Sequence, residues 1–346
     1  MHMSDALLSA TVGVTMTAAS AGAIGHSIRK ITKFEMDEKK IPMMGVMGAF
    51  VFAAQMINFT IPVTGSSGHI GGGILLAALL GPYHALITIA SVLLIQCLFF
   101  ADGGLLALGC NIFNMGVLPC LVAYPLIFRP IVRKAMTKKR ITAASVLAVV
   151  IGLQVGSLAV VLQTQASGIT ELPFLSFVAL MQPIHLAIGA VEGLVTAAVL
   201  CFIYQMRSEI LESAMRDSSV NGIPVKKVLV ILSLAAVLTG GFLSAYASAN
   251  PDGLEWSIAG VTGEAELEGD SGLHAMIAGI QEKAALLPDY AFKAESAENS
   301  MFGDAAETVG TSVSGIAGGL VTMAAAVLTG ALISRLKKRR NTEAAA

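Results

Sequence analysis

Residues 141–165 read ITAASVLAVVIGLQVGSLAVVLQTQ, an apolar run without a single charged side chain. A helix of roughly 20 apolar residues spans the hydrocarbon core of a bilayer, so this stretch predicts a transmembrane helix. Over the whole chain of 346 residues, 55% are hydrophobic and only 13% are charged. A soluble domain of this length needs far more polar surface. The sequence therefore predicts an integral membrane protein.

Seven further apolar segments are candidates for crossing the membrane, and one more is too short to cross comfortably alone. The seven are residues 6–26, 42–60, 84–100, 105–128, 177–204, 226–247 and 311–334. The short segment, 70–81, has glycines at its start and ends at Gly81-Pro82, which predicts a short or broken helix. The expected fold is an all-α polytopic helical bundle with about eight full spans and one short or broken helix.

The positions of the basic residues predict the orientation of the bundle. If all nine segments cross and the amino terminus lies outside, 20 of the 22 Lys and Arg residues fall on the inner side. The carboxyl terminus is then also inside. The first basic residue, Arg29, follows the first apolar segment, so we do not expect that segment to be a cleaved signal peptide. The expected location is the cytoplasmic membrane, crossed several times.

Composition divides the chain into an apolar body, residues 1–208, a polar cytoplasmic linker, 209–224, and a two-span tail, 225–346. The tail contains the outer loop 248–310, in which twelve acidic residues face only two lysines. One interpretation of this loop is a solvated surface. The other is a negative field that concentrates cations near an outer entrance.

The chain begins Met1-His2, a dipeptide that can chelate a metal ion. The α-amine, the amide nitrogen of His2 and Nδ1 of the same residue can bind one ion through adjacent small rings. This planar nitrogen field suits Ni²⁺ and Cu²⁺ best, Co²⁺ less well, and Mg²⁺ or Ca²⁺ not at all. Many chains begin with Met-His by chance, so the dipeptide alone is a weak signal.

His69 is the best candidate for a fourth ligand. It follows Thr64-Gly65-Ser66-Ser67-Gly68, a stretch between two apolar segments on the same outer side as the amino terminus. Glycines on both sides of this histidine allow another segment of backbone to approach closely. The alternative interpretation is a solvent-exposed helix cap.

Two further polar groups lie in or beside the apolar segments. His185 and Glu192 are seven residues apart and share one face of a predicted span, where they line a polar interior or hold helices together. Asp102 lies at an outer turn, with Asn111 and Asn114 following on one helix face. Hydrogen bonding to metal ligands and packing between helices are both compatible with this second group.

Enzyme signatures are missing from the sequence. It contains no HExxH, Walker A or GxSxG motif. We therefore expect a non-enzymatic membrane protein, and any pumping must draw on a partner or on an ion gradient.

Several separated motifs over residues 1–206 resemble the CbiM/NikM family, the substrate-capture subunits of energy-coupling factor transporters for cobalt and nickel. These motifs are Met1-His2, Asn58-Phe59-Thr60-Ile61-Pro62-Val63, Ser67-Gly68-His69, Leu79-Leu80-Gly81-Pro82, Gln96, Asp102-Gly103-Gly104-Leu105, Ala107-Leu108-Gly109, Asn111-Ile112-Phe113-Asn114-Met115, His185-Leu186-Ala187-Ile188-Gly189 and Glu192-Gly193. In the tail, Asn250-Pro251-Asp252-Gly253-Leu254-Glu255-Trp256 resembles the CbiN/NikN or PDGLE module. One departure is Met3-Ser4-Asp5-Ala6-Leu7-Leu8, where family members often have Ile and then a Gly-Phe-Leu-like stretch.

The resemblance implies Co²⁺ or Ni²⁺ as the transported substrate. It implies four nitrogen ligands: the Met1 amine, the His2 amide, and the imidazoles of His2 and His69. As supporting residues around them we assign Ser67, Asp102, Asn111 and Asn114. The implied partners are a CbiQ/NikQ-like coupling subunit, CbiO/NikO-like cytoplasmic ATPases and membrane lipid, without nucleic acid. The metal would supply cobalamin synthesis or nickel enzymes.

Two other functions compete with this expectation. One is a secondary metal transporter or channel with His185, Glu192 and Asp102 as an ion relay. The other is a membrane enzyme or assembly factor with a catalytic metal, for which the sequence contains no organic-substrate motif. An extension of the amino terminus separates the first two hypotheses, because only the capture site needs a free α-amine.

Overall fold

A computed structural model describes residues 1–35, 38–216, 218–220, 222–267, 269, 272–293 and 306–345. In the body, the helices are α1 (Ala10–Lys30), α2 (Lys40–Gln55), α3 (Gly73–Leu80), α4 (Pro82–Phe100), α5 (Leu108–Lys134), α6 (Lys138–Ser167) and α7 (Phe174–Met215). The tail adds α8 (Lys226–Gly241), α9 (Gly253–Thr262), α10 (Gly272–Ala284) and α11 (Ala306–Ala345). Three single turns of 3₁₀-helix are Asp5–Leu7, Leu243–Tyr246 and Pro288–Tyr290.

Helix dominates the described residues, as the sequence predicts. Five of the described helices are long and apolar enough to cross a membrane: α4, α5, α6, α7 and residues Thr308–Lys338 within α11. α2 is also apolar but shorter. The short segment 70–81 contains α3, whose eight residues are all buried.

A β-hairpin replaces the end of one expected span. The sequence predicts that residues 42–60 cross as a helix, but α2 ends at Gln55. Strands β1 (Phe59–Ile61) and β2 (Ser66–Gly68) then pair antiparallel, with Thr60 opposite Ser67. The β-branched residues of this stretch and Pro62 favour extended backbone over helix. The hairpin ends immediately before His69.

Two of the long helices depart from regular α geometry. Residues Phe113–Phe128 of α5 are wound as a π-helix that contains Pro119 and Pro125. Proline lacks an N–H group and clashes with regular helix, so a wider turn accommodates both rings. α7 is interrupted at Arg207, whose φ and ψ angles of −155° and 82° are not helical.

The tail packs against the body along α2. Both long tail helices, α8 and α11, contact α2 and each other, and α11 also contacts α4. In the body, α6 packs along α7 and α5. One hydrophobic core runs through both parts and includes the amino-terminal Met1 and Met3. The chain start and the tail loop thereby reach the same end of the bundle.

Candidate metal centre

The first three residues lie inside the protein. Met1 is 6% exposed and Met3 is completely buried. The Met3 N–H donates to Oδ1 of Asn111 (2.8 Å), and the Met3 carbonyl accepts from Nδ2 of the same side chain (3.2 Å) and from Gly104 N–H (2.9 Å). Asn111 therefore fixes the position of the chain start through Met3, which is not itself one of the expected ligands.

Gly103 lies beside this segment and allows its close approach. Its φ angle is +78°, and a Cβ atom at this position would lie 2.7 Å from Nδ2 of Asn111 and 3.2 Å from Cβ of His2. Any other residue would strain the backbone and displace one of these neighbours.

The α-amine of Met1 lies 3.2 Å from Nε2 of His69. Nδ1 of His69 is 3.2 Å from the carbonyl oxygen of Ile70, an atom that can only accept. Nδ1 therefore carries the hydrogen and Nε2 presents its lone pair to the amine. Burial, and secondarily the positive amine, lowers the pKa of His69 to about 3, so the ring is neutral at ordinary pH. A neutral imidazole is the form that binds a metal ion.

The ring of His2 stacks on that of His69, with centroids 5.2 Å apart and planes inclined by 12°. Nδ1 of His2 is 3.0 Å from Oδ1 of Asp102. Nε2 of His2 is buried and has no hydrogen-bond partner among the described residues. Chelation through Nδ1 therefore requires the ring to rotate about its Cβ–Cγ bond. Asp102 therefore contacts the nitrogen that would have to turn toward the ion.

Asp252 of the tail also reaches the α-amine, with Oδ2 at 2.5 Å. Its other oxygen, Oδ1, accepts from the backbone N–H groups of Leu254 and Glu255, which makes Asp252 the N-cap of α9. Burial alone raises the pKa of the Asp252 carboxyl. The positive amine and the hydrogen bond from it outweigh burial, so this pKa lies well below its usual range. Asp252 could not be selected from the sequence as a site residue, because no local pattern indicates a contact with residue 1.

Ser67 forms hydrogen bonds with the tail, whereas the expectation from the sequence is that it supports the histidine ligands. Its N–H donates to the carbonyl of Pro251 (2.8 Å), and its hydroxyl donates to that of Asn250 (2.8 Å). Nearby, the indole N–H of Trp256 donates to the carbonyl of Thr64 (2.9 Å). The hairpin thus holds the segment that carries Asp252.

Asn114 pairs with a neighbouring helix. Its amide exchanges two hydrogen bonds with Gln163 of α6, at 2.8 and 3.0 Å. Its nearest contact to the chain start is a 3.8 Å approach of Nδ2 to the sulfur of Met3. The packing interpretation therefore describes Asn114 better than hydrogen bonding to a ligand.

His185 and Glu192 line an internal cavity that also reaches Met1, His69 and Asp252. Nδ1 of His185 donates to the carbonyl of Met181 (2.8 Å), while its buried Nε2 has no partner in the described part of the chain. Glu192 accepts a hydrogen bond from the N–H of Gly72 (3.0 Å). It therefore braces the turn that follows His69.

Gly253, next to Asp252, closes the cavity over His185. A Cβ atom on Gly253 would lie 3.0 Å from Cε1 of His185 and 2.8 Å from Cδ1 of Ile188. Only a glycine lets the start of α9 lie this close to α7.

The candidate centre depends on the chain start more than on side chains. The described residues contain no cluster of three His, Cys, Asp or Glu side chains suited to holding a metal ion. What they do contain is one primary amine, two stacked imidazoles and two carboxylates at the same end of a helical bundle. These features define a helical membrane protein whose polar centre is built around its amino terminus.

Comparison with known proteins assigns the family. Residues 2–210 match the family described as the cobalt uptake substrate-specific transmembrane region, CbiM, and residues 226–335 match the PDGLE domain. The chain belongs to the CbiM family and carries a PDGLE domain, which confirms the resemblance seen in the sequence. It is a multi-pass cobalt/nickel transport protein of the CbiM/NikM kind.

Individual relatives agree with this assignment. A putative fused nickel transport protein NikMN of Archaeoglobus fulgidus is 32% identical over 248 residues, covering 72% of this chain and 77% of the relative. The fused nickel transport protein NikMN of Rhodobacter capsulatus is 29% identical over 314 residues, covering 84% and 88%. The crystal structure of a truncated transition metal transporter superposes with a TM-score of 0.52 at 28% identity, covering 60% of this chain and 99% of that one.

Proposed function

We propose that this chain captures Ni²⁺ or Co²⁺ outside the cell for an ATP-driven energy-coupling factor transporter. The ion is bound by the α-amine of Met1, the amide and imidazole nitrogens of His2, and the imidazole of His69. The observation that carries the proposal is the 3.2 Å approach of the buried α-amine to Nε2 of His69, with the His2 ring stacked alongside. The amine and the two imidazole rings thereby lie next to one another.

The chemistry of these donors selects the cargo. Ni²⁺ and Co²⁺ prefer nitrogen donors, whereas Mg²⁺ and Ca²⁺ prefer oxygen. The His69 ring is already neutral, because its pKa is lowered to about 3. The carboxylates of Asp102 and Asp252 offset part of the positive charge that the ion brings.

The topology we propose has the amino terminus outside and the carboxyl terminus inside, with about eight full spans and the short α3. It is supported by the distribution of basic residues and by the contact of the hairpin, the chain start and the tail loop at one end of the bundle. The proposed units are the metal-capture domain 1–208, the linker 209–224 and the two-span module 225–346. The module belongs to the same outer site, since Asp252 reaches the amine.

Partners supply the energy in this proposal. The sequence contains no Walker A motif, so ATP hydrolysis is assigned to CbiO/NikO-like subunits and force transmission to a CbiQ/NikQ-like membrane subunit. This assignment follows from membership of the CbiM family. The delivered metal would serve cobalamin synthesis or nickel enzymes in the cytoplasm.

Equilibrium binding by the purified full chain tests the choice of cargo. We expect Ni²⁺ and Co²⁺ to bind at least about 100-fold more tightly than Mg²⁺ or Ca²⁺, because a nitrogen-rich site disfavours hard cations. Calorimetric titrations with the four ions in parallel provide the measurement. Equal competition by Mg²⁺ would contradict a nitrogen site.

A secondary metal transporter or channel remains the second candidate, because His185 presents an unpartnered Nε2 to the cavity below the amine. That hypothesis requires Glu192 as a charged relay. In the capture hypothesis Glu192 only accepts a hydrogen bond from Gly72, a role that the amide oxygen of a glutamine can also fill.

Substitution of Glu192 separates the two candidates. We expect Glu192→Gln to keep metal uptake and to change Ni²⁺ affinity by less than about tenfold, because one neutral hydrogen bond replaces a charged one. The measurements are radioactive Ni²⁺ uptake by cells and Ni²⁺ titration of the purified protein. The matched control is Glu171→Gln, at an exposed carboxylate on the loop before α7. Abolished uptake in Glu192→Gln alone, with intact binding, would favour the relay.

A further inference from the structure

The first two residues of the chain are covered by other parts of the protein. Met1 is 6% exposed, and the side chain of His2 is 9% exposed. The cavity next to Met1 is lined by residues of the body and, from the tail, by Asp252 and Gly253. A hydrated ion cannot reach donors that are buried to this degree unless a covering element moves.

Two kinds of element enclose the α-amine. The chain start and the hairpin carry the proposed ligands, since the chain start contains Met1 and His2 and the hairpin leads directly into His69. Moving either of them would separate the ligands from one another. Residues 250–252 and α9 carry none of the proposed ligands, although Asp252 reaches the amine. Moving this part of the tail would uncover the amine and leave the ligands in place.

Hydrogen bonds to the hairpin hold this part of the tail in place. Ser67 donates from its N–H to the carbonyl of Pro251 and from its hydroxyl to the carbonyl of Asn250. The indole N–H of Trp256 donates to the carbonyl of Thr64. Single hydrogen bonds of this kind contribute little net free energy, because water replaces the lost partner when they open. These contacts can therefore break while the hairpin stays folded.

α9 satisfies the hydrogen bonds at both of its own ends. Oδ1 of Asp252 accepts from the first turn, and the side chain of Glu255 accepts from the N–H of Asp252. At the other end, Gly263 has a φ angle of +87° and donates to the carbonyl of Ala259. A helix that is capped at both ends does not need the body for its backbone hydrogen bonds. α9 can therefore move as one unit.

We propose that α9, together with residues 250–252, is a lid over the metal site that opens for the ion to enter and to leave. This inference rests on the proposed function, since the lid covers that same site. A lid that closes over the empty and the loaded site alike changes the rates of association and dissociation together. It leaves the equilibrium affinity, which the ligands set, nearly unchanged.

A disulfide between α9 and α7 tests the lid in the purified full chain. A Cβ atom on Gly260 would lie 2.7 Å from Cδ1 of Leu180, which is two bonds from its own Cβ. Gly260→Cys combined with Leu180→Cys therefore brings two sulfur atoms within bonding reach. Diamide is the oxidant, because copper would itself occupy a nitrogen site. We expect Ni²⁺ association, followed by stopped-flow absorption, to be at least about tenfold slower in the cross-linked chain.

The same protein provides the control. Reduction with a phosphine and capping of both thiols should return association at least to the wild-type rate, which shows that the variant folds. The wild type and each single-cysteine variant receive the same treatment and should keep the wild-type rate. A cross-linked chain that binds Ni²⁺ as fast as the wild type would overturn the lid and leave the proposed function intact. Failure of the wild type itself to bind Ni²⁺ would overturn both.

Loosening the lid tests the same inference in the opposite direction. Trp256→Phe removes the hydrogen bond to Thr64 and keeps an aromatic ring against a small apolar cluster that includes Ile184 and Ile188. We expect Ni²⁺ association and dissociation both to become faster by about two- to tenfold, since one hydrogen bond that closes the lid is lost. The control is Tyr246→Phe, at a tyrosine outside α9 that is 75% exposed. Wild-type rates in Trp256→Phe would count against the lid.

Discussion

Two additional residues, Met-Ala, placed before Met1 are expected to weaken Ni²⁺ and Co²⁺ binding by about a thousandfold or more, equivalent to about 4 kcal/mol. The α-amine then becomes an amide nitrogen, which loses its basic lone pair and with it the first ring of the chelate. The pocket also has no room for an extension of the chain, because Met1 is buried, with only 6% of its surface exposed, and its amine lies between His69 and Asp252. Both effects act in the same direction.

Calorimetric titration of the purified extended chain with Ni²⁺ and with Co²⁺ measures this loss. A suitable control inserts one residue after Gly168, in the turn between α6 and α7, where a side chain would meet nothing within 4 Å. The control should bind normally. Unchanged affinity in the extended chain would exclude the α-amine of Met1 as a ligand. The ion would then be bound by side chains alone.

Replacing His69 by alanine is expected to reduce Ni²⁺ affinity by about two to three powers of ten, because one of four nitrogen ligands is lost and solvent takes its place. The ligand-field absorption of bound Ni²⁺ should change as well, since the planar nitrogen field is broken. Because the pKa of His69 is lowered to about 3, protons do not compete for this ring above pH about 4.

The measurement is a Ni²⁺ titration with absorption spectroscopy, with His26→Ala as the matched control at an exposed histidine on α1. The control should leave both affinity and spectrum unchanged. A His69→Ala protein with the wild-type spectrum would show that His69 is not a ligand, whatever its distance from the amine.

The fold class could be predicted from the sequence because hydrophobic composition and run length are local properties. Residues 141–165 lie within a single helix, and the short segment 70–81 contains the short helix α3. The hairpin at 59–68 could not be read in the same way. Hydropathy alone predicts that an apolar helix continues through residue 60. In the structure, residues 59–61 form strand β1, which pairs with β2.

The candidate site was predictable only in part. Chelation chemistry selects Met1 and His2, and the glycine-flanked loop on the same predicted outer side adds His69; the structure brings these three together. The four predicted supporting residues have different contacts in the structure. Asn111 and Asp102 contact the chain start, Ser67 instead holds the tail, and Asn114 mainly pairs with Gln163.

From the sequence by itself one learns that this is a helical membrane protein with a nitrogen-rich chain start and two modules. Only the tertiary structure reveals that the second module reaches the proposed metal site, through Asp252 at the α-amine and through Tyr290 at Asp102. The physical reason is distance along the chain. Hydropathy and motif spacing report on neighbours within a few turns. The Met1–Asp252 contact joins residues that are 251 positions apart, and the Asp102–Tyr290 contact joins residues that are 188 positions apart. Both contacts depend on how α2, α4 and α11 pack.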